Sequence, residues 1–584
     1  MTQERRLLGG LIDRKQVLKF KFDNHLYTGY QGDTLASALL ANGVQLMGRS
    51  FKYHRPRGPF TSGTEEPNAL VELRDGASKE PNTRATAIEL YDELVAKSQN
   101  RWPSLGFDVM AVNDLFSNIL TAGFYYKTFM WPAALWESLY EPVIRRAAGL
   151  GTASHDPDPD FYDKGFLHCD LLIIGAGSAG LVSALVAGRS GLDVILADED
   201  FVLGGRLNGE TISLDDGAGC AWAAAMANEL ASLPNVRLMT RTTVIGAFDH
   251  GVYGLVERVA DHLKVPASGQ PRQRLWRVYS RAGLLCSGAT ERSIAFENND
   301  RPGIMLAGAM RAYANRWAVA VGDRIAIFTN NDDAYRTAHD LCDKGVEIAA
   351  VIDSRPKALK SDKFEVLEAS QVINTHGRLG INSIDINTPS GRRQMQVSAL
   401  GVSGGWNPNI HLTCHQRGRP RWDERLSAFL PSLDLPKGMY VAGAVNGQLT
   451  TAAAIDDAIA VTKSVASGLG FEVNACNTPK ASDEVSSISP FWYVTGTQRG
   501  WVDQQNDVTV KDIQLAHQEN FRSVEHLKRY TTLGMATDQG KTSNVLGLAI
   551  MAQTAGQSIP ATGTTIYRPP YTPTAIGVFA GRSR

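Results

Sequence analysis

The chain has 584 residues, enough for about four domains of the usual size. Its 59 basic and 60 acidic residues give a formal charge of −1, which excludes an overall positive field for nucleic acid or anionic lipid. Hydrophobic residues make up 43% and charged residues 20%, as is typical of a folded chain with a sizeable core.

The amino-terminal residues carry charges throughout and do not resemble a signal peptide. The most apolar stretch, residues 115–136, contains Asn118, Lys127 and Pro132 and lacks the ~18 clean apolar residues that a membrane span needs. We expect this aromatic-rich stretch to pack against another domain or subunit. The six cysteines include no CxxC pair, which indicates reduced thiols and a cytoplasmic, soluble protein.

The first part of the chain predicts a small α+β module. Residues 17–30 alternate in polarity on either side of Asp23 and Asn24, which predicts a hairpin. A short capped helix over 33–40 and a strand over 69–73 follow. We therefore predict a ferredoxin-like module of the ubiquitin-roll type over residues 1–100. Residues 85–150 are predicted to be mostly helical, with a helical linker over 101–165.

From residue 171 the pattern changes to buried strands, tight turns and helices, which indicates a doubly wound α/β domain. We place this domain at 166–475. A second strand–helix–strand unit, at about 300–375, interrupts it, because strands of the first domain resume near 395 and 439. The predicted fold is a Rossmann-like flavoprotein with two dinucleotide-binding domains, one inserted in the other. A helical module over 490–584 completes the chain.

The sequence GAGSAG at 175–180 carries the full dinucleotide-binding fingerprint. It follows an apolar strand, opens a helix, and is followed by a second strand that ends at Asp198. Gly175 permits the tight turn, Gly177 lets the pyrophosphate approach the backbone, and Gly180 lets helix and strand pack closely. The carboxylate of Asp198 can accept from ribose hydroxyls and repels a 2′-phosphate. We therefore expect FAD or NAD, and not NADP.

Three further segments are candidates for the same site. Arg206 follows a pair of glycines and either reaches a phosphate or is a solvated arginine. Val244 is predicted to lie in a short strand that passes the adenine through its backbone. The residues 443–451 form either a second phosphate-facing helix start or an ordinary strand–helix turn.

Other motifs are weaker. The turn over 329–333 is acidic and has no glycine, so we predict one tightly bound dinucleotide and not two. The GxSxG at 401–405 is followed by Pro408 and cannot open the helix that a hydrolase elbow needs. His411, Cys414 and His415 lack a further ligand pair, so no metal site is predicted. No catalytic acid, base or nucleophile set is identified.

Several segments together resemble the alpha subunit of heterotetrameric sarcosine oxidase, and the resemblance covers nearly the whole chain. They are GRSFKYHRPRG at 48–58, the fingerprint at 175–180, and the segments 288–292, 329–335 and 527–535. The resemblance implies NAD in this chain, FAD in a beta subunit that oxidises sarcosine, and FMN between alpha and beta. Gamma and delta subunits complete the implied complex. Its products are glycine, hydrogen peroxide and formaldehyde or 5,10-methylenetetrahydrofolate.

Carried over by position, the resemblance implies a set of NAD contacts around the fingerprint. They are Gly175, Gly177, Ala179, Gly180, Asp198, Glu199, Arg206, Val244, Ala444, Leu449 and Thr451. It also implies an FMN face on the helices over 508–544. The candidates for the FMN phosphate are Lys541, Thr542, Ser543, Asn544 and Arg568.

The chain departs from the family's relatives in its cysteines. Amino-terminal modules of this kind hold a [2Fe–2S] cluster through C-x4-C-x2-C, but here that spacing falls on Ser62, Pro67 and Leu70. No cysteine precedes Cys169 or follows Cys476, so no cluster is expected in either terminal module.

The resemblance further implies that a tetrahydrofolate-binding domain would follow, and we expect tetrahydrofolate only where that domain is present. Two alternatives remain. The first is a large subunit of an opine or amine dehydrogenase, which the missing cluster cysteines disfavour. The second is a non-catalytic scaffold that binds a dinucleotide. In every case we expect neither nucleic acid nor membrane as a partner.

Overall fold

A computed structural model describes residues 3–127, 131–147, 151–473, 478–482, 486–535 and 537–583. The chain divides into two compact units, each built from separate stretches of sequence. The first contains Met1–Pro159, Glu291–Gly405 and Ile488–Thr565, and the second contains Asp160–Thr290, Trp406–Ser487 and Ile566–Arg584. No helix of the described residues is long and apolar enough to cross a membrane.

The amino-terminal module of the first unit is a five-stranded mixed sheet with one helix. Asp23 and Asn24 both have positive φ, as a two-residue type I′ hairpin turn requires. The helix Leu35–Ala41 begins at Thr34, whose hydroxyl accepts from the backbone N–H of Ser37. The strand order is His25–Gln31, Asp13–Phe22, Leu94–Ser98, Leu70–Leu73 and Glu80–Arg84. A short pair, Gly48–Arg49 and Pro56–Arg57, lies outside this sheet.

The prediction that residues 85–150 are mostly helical is wrong at Leu94–Ser98. This segment is the central strand of the sheet, parallel to Asp13–Phe22 and antiparallel to Leu70–Leu73. Five residues are too few to show a period, so pairing with distant strands decides their structure. The helical pieces described after it are short: Val109–Phe116, Phe124–Lys127, Ala133–Leu135, Trp136–Tyr140 and Glu141–Ala147.

The inserted domain of the first unit has a parallel sheet. Its strand order is Ile304–Leu306, Ala399–Ser403, Arg324–Thr329, Glu347–Asp353 and Val366–Leu367. The helices Ala307–Arg316 and Asp333–Asp343 pack on it, and Tyr313 shares a buried core with Phe20 of the amino-terminal module. An antiparallel sheet adds Gln371–His376, Ser383–Thr388 and Gly391–Gln396.

The sequence predicts a helical module over 490–584. In the structure the first unit has a mainly helical module that ends at Thr565, and Ile566–Arg584 belongs to the second unit. The core of this helical module contains Ile513, Leu527, Leu546 and Ile550. The elements are the strands Trp501–Asp503 and Val508–Thr509 and the helices Val510–Gln518, Val524–Thr531, Asn544–Ala555 and Ile559–Thr562.

The second unit is a doubly wound domain. Its sheet runs in the order Val236–Met239, Val194–Ala197, Tyr162–Ile174, Gln273–Leu285, Val252–Glu257 and Thr242–Phe248. Met439–Val441 pairs with Gln273–Leu285, and Arg582–Ser583 pairs with Tyr162–Ile174. The principal helices are Ser178–Arg189, Gly219–Ser232 and Thr451–Gly468. Five of these strands are mutually parallel and end at one edge, so the segments after Ile174, Ala197 and Val441 converge there.

Candidate dinucleotide-binding site

Two glycines of the fingerprint are required by the fold itself. Gly175 has φ +97°, and a Cβ there would lie 2.5 Å from the carbonyl oxygen of Cys286. A Cβ on Gly180 would lie 1.8 Å from the carbonyl oxygen of Gly175. Neither position can accept a side chain, because the obstructing atoms belong to the backbone.

Gly177 is different, because the protein does not require a glycine there. Its φ of −72° is open to any residue, and an added Cβ would meet no protein atom within 4 Å. Gly177 is also the N-cap of the helix Ser178–Arg189 and provides no capping side chain. The first N–H groups of this helix therefore have no capping side chain, and a helix N-terminus of this kind can bind a pyrophosphate.

The carboxylate of Asp198 binds two backbone N–H groups of this turn. Its Oδ2 accepts from the backbone N–H of Ala176 at 2.6 Å, and its Oδ1 accepts from that of Asp200 at 2.8 Å. Each carboxylate oxygen keeps a further lone pair for a ribose hydroxyl. Burial, with Asp200 nearby, raises the pKa of Asp198 to about 7. The residue therefore stabilises the turn by itself, and its contact with a ribose stays a prediction.

The loop that carries Arg206 lies against the fingerprint. The N–H of Gly204 donates to the carbonyl oxygen of Ala176 at 2.9 Å. Arg206 donates to Glu210 at 2.5 Å, and its guanidinium carbon lies 4.2 Å from the centre of the Trp406 ring. Arg206 is thus held by a carboxylate and an indole while a third of its side chain stays exposed; its contact with a phosphate stays a prediction.

The second glycine turn lies beside the fingerprint helix. Gly443 has φ +78°, and a Cβ there would lie 2.8 Å from the Cβ of Ala179. Asp457 fixes this turn by accepting from the N–H of Gly443 at 2.8 Å and from the amide of Asn446 at 3.1 Å. Ala444, which follows Gly443 directly, is partly exposed.

The helix that follows uses part of its own N-terminus. The hydroxyl of Thr450 accepts from the N–H of Ala453 at 3.2 Å, which leaves fewer N–H groups for a ligand than the fingerprint helix offers. Leu449 and Thr451 flank this cap and are partly exposed.

Val244 and Glu199, two further predicted contacts, both have partners within the protein, and their contacts with a dinucleotide stay predictions. Val244 is buried in the core with Leu172 and Leu285, so its side chain points away from a ligand in the turn. The carbonyl oxygen of Glu199 accepts from Arg258, while the residue as a whole is partly exposed. Both lie next to Asp198, whose carbonyl oxygen accepts from the N–H of Thr242.

Three residues of this site were not predicted from the sequence: Glu210, Trp406 and Asp457. Asp457 could have been noticed as a carboxylate in an otherwise small and apolar helix next to a glycine turn. The stacking of Trp406 on Arg206 has no local signal, because the two residues lie 200 positions apart.

The inserted domain's turn at 329–333 is occupied by its own side chains. Asn331 is buried, donates to the carbonyl oxygen of Ser403 at 3.1 Å and accepts from the N–H of Asp333 at 3.0 Å. Asp332 pairs with Arg355 at 2.7 Å. Since these groups already satisfy one another, the turn offers little to a phosphate; the number of bound dinucleotides stays a prediction.

The motifs that the sequence analysis set aside also have structural partners. Ser403 of the GxSxG lies in the strand Ala399–Ser403 and bonds to Asn331. The ring of His411 stacks on Tyr571 at 3.8 Å, and burial lowers the pKa of His415 to about 4. Among the described residues no group of three or more His, Cys, Asp or Glu could hold a metal ion.

In the amino-terminal module, a carboxylate fills the loop that would ligate a [2Fe–2S] cluster. Glu66 is fully buried and accepts from the N–H groups of Phe60, Thr61, Asn68 and Ala69 at 2.7–3.0 Å. Iron–sulfur sites need thiolate ligands, and this loop has none. The residues present therefore do not fit a cluster.

We expect the purified chain to contain neither iron nor acid-labile sulfide in stoichiometric amount, because residues 1–168 contain no thiol to bind a cluster. Colorimetric iron and sulfide assays on anaerobically purified protein provide the measurement. Incorporation that survives desalting and approaches one cluster per chain would contradict the expectation.

The predicted FMN face is largely internal to its module. Lys541, Thr542, Ser543 and Asn544 are all buried, and the Asn544 amide donates to the carbonyl oxygen of Gln539 at 2.9 Å. Arg568 is exposed and belongs to the second unit. Contacts of these residues with a flavin phosphate stay predictions.

Three family models match separate parts of the chain. Residues 15–101 match a 2Fe-2S iron-sulfur cluster binding domain, residues 170–266 an FAD dependent oxidoreductase, and residues 497–582 the sarcosine oxidase A3 domain. The crystal structure of L-proline dehydrogenase from P. horikoshii superposes with a TM-score of 0.70 at 18% identity, covering 98% of this chain and 99% of that one. That likeness shows the fold.

The decisive likeness is one of sequence. The sarcosine oxidase subunit alpha of Rhizobium meliloti (strain 1021) is 49% identical over 98% of this chain and 58% of its own length. The chain belongs to the sarcosine oxidase alpha-subunit family. The subunit alpha of Corynebacterium sp. (strain U-96) is 35% identical, over 99% of this chain and 57% of that protein. The chain thus spans less than three fifths of the length of these sarcosine oxidase subunits.

Family membership confirms the resemblance seen in the sequence. The predicted fold class is confirmed as well: a two-dinucleotide-binding flavoprotein fold with a ferredoxin-like amino-terminal module. The fingerprint and Asp198 lie inside the segment that matches an FAD dependent oxidoreductase.

Proposed function

We propose that the chain is the NAD-binding alpha subunit of a sarcosine oxidase complex. The complex converts sarcosine to glycine and hydrogen peroxide, with formaldehyde or 5,10-methylenetetrahydrofolate as the one-carbon product. A beta subunit with FAD oxidises the amine, and FMN lies between alpha and beta. Gamma and delta subunits complete the assembly, and tetrahydrofolate enters only where its own domain is present.

The observation that carries the proposal is the open face of Gly177 next to Asp198. A glycine that the fold does not need, at an uncapped helix N-terminus, supports a pyrophosphate contact. The acceptor pair of Asp198 supports a ribose with unmodified hydroxyls. Homology to sarcosine oxidase alpha subunits supports the complex and its substrate.

The identity of the nucleotide is tested by chromatography of what the isolated chain releases in acid. NAD is the expected result. FAD would contradict the division of cofactors between subunits, and NADP would contradict the role of the carboxylate at 198. A chain that releases no nucleotide and binds none in titration would contradict the site altogether.

Asp198→Ala is expected to weaken NAD binding by on the order of 1–3 kcal/mol, because the ribose hydroxyls lose their buried acceptor. Titration calorimetry with NAD measures the change. Asp193→Ala is the matched control. Asp193 lies directly before the strand Val194–Ala197 and is exposed, whereas Asp198 lies directly after that strand. Equal affinities in both variants would exclude Asp198 as the ribose acceptor.

A further inference from the structure

The segment after the amino-terminal sheet exposes an unusual number of large apolar side chains. Six of these side chains form a surface that we name the apolar ridge. Their exposed fractions are 64% for Trp102, 63% for Phe107, 45% for Val112, 80% for Leu115, 52% for Phe116 and 51% for Ile119. An ordinary surface segment would bury such residues and expose its polar ones. The ridge therefore presents to solvent the side chains that a folded chain normally covers.

Polar contacts hold the segment onto the rest of the first unit. The carboxylate of Asp108 is buried, bonds to the ring of His54 at 2.8 Å and accepts from the N–H of Trp102 at 3.0 Å. Asp114 pairs with both Arg55 and Arg499 at 3.1 Å.

Backbone carbonyl groups of the same segment also accept hydrogen bonds from the rest of the first unit. The carbonyl oxygen of Leu105 accepts from Arg49 at 2.6 Å, and that of Leu120 accepts from the hydroxyl of Tyr53 at 2.9 Å. Because Asp108, Asp114 and these carbonyl groups bind the rest of the unit, the exposed side of the segment is mainly apolar, with Ser104 and Asn118 as its exposed polar side chains.

The charge and composition of the ridge indicate which kind of partner would bind it. Residues 102–126 contain no lysine or arginine, and both of their carboxylates are paired: Asp108, which is buried, with His54, and Asp114, which is partly exposed, with Arg55 and Arg499. Segments that bind lipid surfaces depend on basic residues, so a membrane is disfavoured. The partner surface that complements the ridge is therefore an uncharged apolar face of another protein.

The exposed area is in the range of a protein interface. The six side chains together expose on the order of 600 Å², taking about 150–250 Å² for a complete aromatic side chain and somewhat less for an aliphatic one. A stable interface takes about 800 Å² from each partner. The ridge alone supplies most of that area.

We propose that the apolar ridge is a docking surface for another subunit of the complex, which covers it with an uncharged apolar face. The inference rests on the proposed function, because the proposed complex supplies the second polypeptide. A second copy of this chain and a lipid bilayer are the competing occupants that the test must separate.

The test uses the complex purified from its host through a tag on this chain, with the subunits identified by mass. In Leu115→Asp/Phe116→Asp, the other subunits are expected to be lost while nucleotide content and melting temperature of the chain stay unchanged. Leu433→Asp is the matched control, since Leu433 is 86% exposed and lies in the other unit. Carbene footprinting is expected to label Trp102 in the free chain and not in the complex.

Retention of all subunits by the double variant, with Trp102 still labelled in the complex, would overturn the docking surface and leave the proposed function standing. Protection of Trp102 in a dimer of the isolated chain would assign the ridge to a second copy. Binding of the free chain to phosphatidylcholine–phosphatidylserine vesicles, lost in the double variant, would assign it to lipid. Absence of any other subunit from the wild-type preparation would count against both proposals.

Discussion

Gly177→Ala is expected to lower the affinity for NAD on the order of 100-fold, equivalent to about 2.7 kcal/mol, with no loss of stability. The physical reason is that the added Cβ would lie in the open space at the start of the helix Ser178–Arg189. It would have no protein atom within 4 Å, so the fold itself would not be disturbed. A side chain there separates the pyrophosphate from the N–H groups that bind it. Titration with NAD and thermal denaturation of the nucleotide-free chain give the two measurements.

Two other glycines provide matched controls for this experiment. Gly468→Ala also meets no atom and requires no unusual φ, but it lies at the far end of the helix Thr451–Gly468 and should change neither property. Gly180→Ala should lose stability and binding together, because its Cβ would overlap the Gly175 carbonyl oxygen. Unchanged NAD affinity in Gly177→Ala would mean that the pyrophosphate does not approach this turn.

Local chemistry explains which parts of the fold the sequence predicts correctly. The hairpin turn at Asp23 and Asn24 follows from residue types that accept positive φ. The fingerprint follows from the spacing of three glycines and Asp198 around a strand and a helix. Each of these features is determined by residues close together in the chain.

The features that sequence analysis misses depend on distant partners. Leu94–Ser98 is a strand because two other strands flank it. The role of Asp198 in stabilising the turn, through its hydrogen bond with the N–H of Ala176, follows only from the position of the carboxylate in the structure. The same holds for Glu66, whose five neighbouring donors arise from how its loop closes. Spacing alone could show that cluster ligands are missing but not what replaces them.

The isolated chain, supplied with NAD and FMN, is expected to release hydrogen peroxide from sarcosine only at the background rate. Oxidation of an amine by a flavin needs a pocket beside the isoalloxazine and groups that hold the amine neutral and its carboxylate fixed. Around the fingerprint the structure places carboxylates and an arginine held by Glu210 and Trp406. These groups suit hydroxyls and phosphates, and the turn at 329–333 is occupied by its own side chains.

Peroxide formation coupled to peroxidase measures this directly, with the complex purified through the same tagged chain as the positive control. Catalysis by enzymes commonly exceeds the uncatalysed rate by 10⁶-fold or more, so a chain that contained the active site would be detected even at low occupancy. Sustained turnover by the chain alone would place amine oxidation in this subunit. A different outcome is turnover that appears only with the beta subunit and that Gly177→Ala leaves intact. The dinucleotide of this chain would then have a structural role, because loss of the dinucleotide would not interrupt electron transfer from the amine to oxygen.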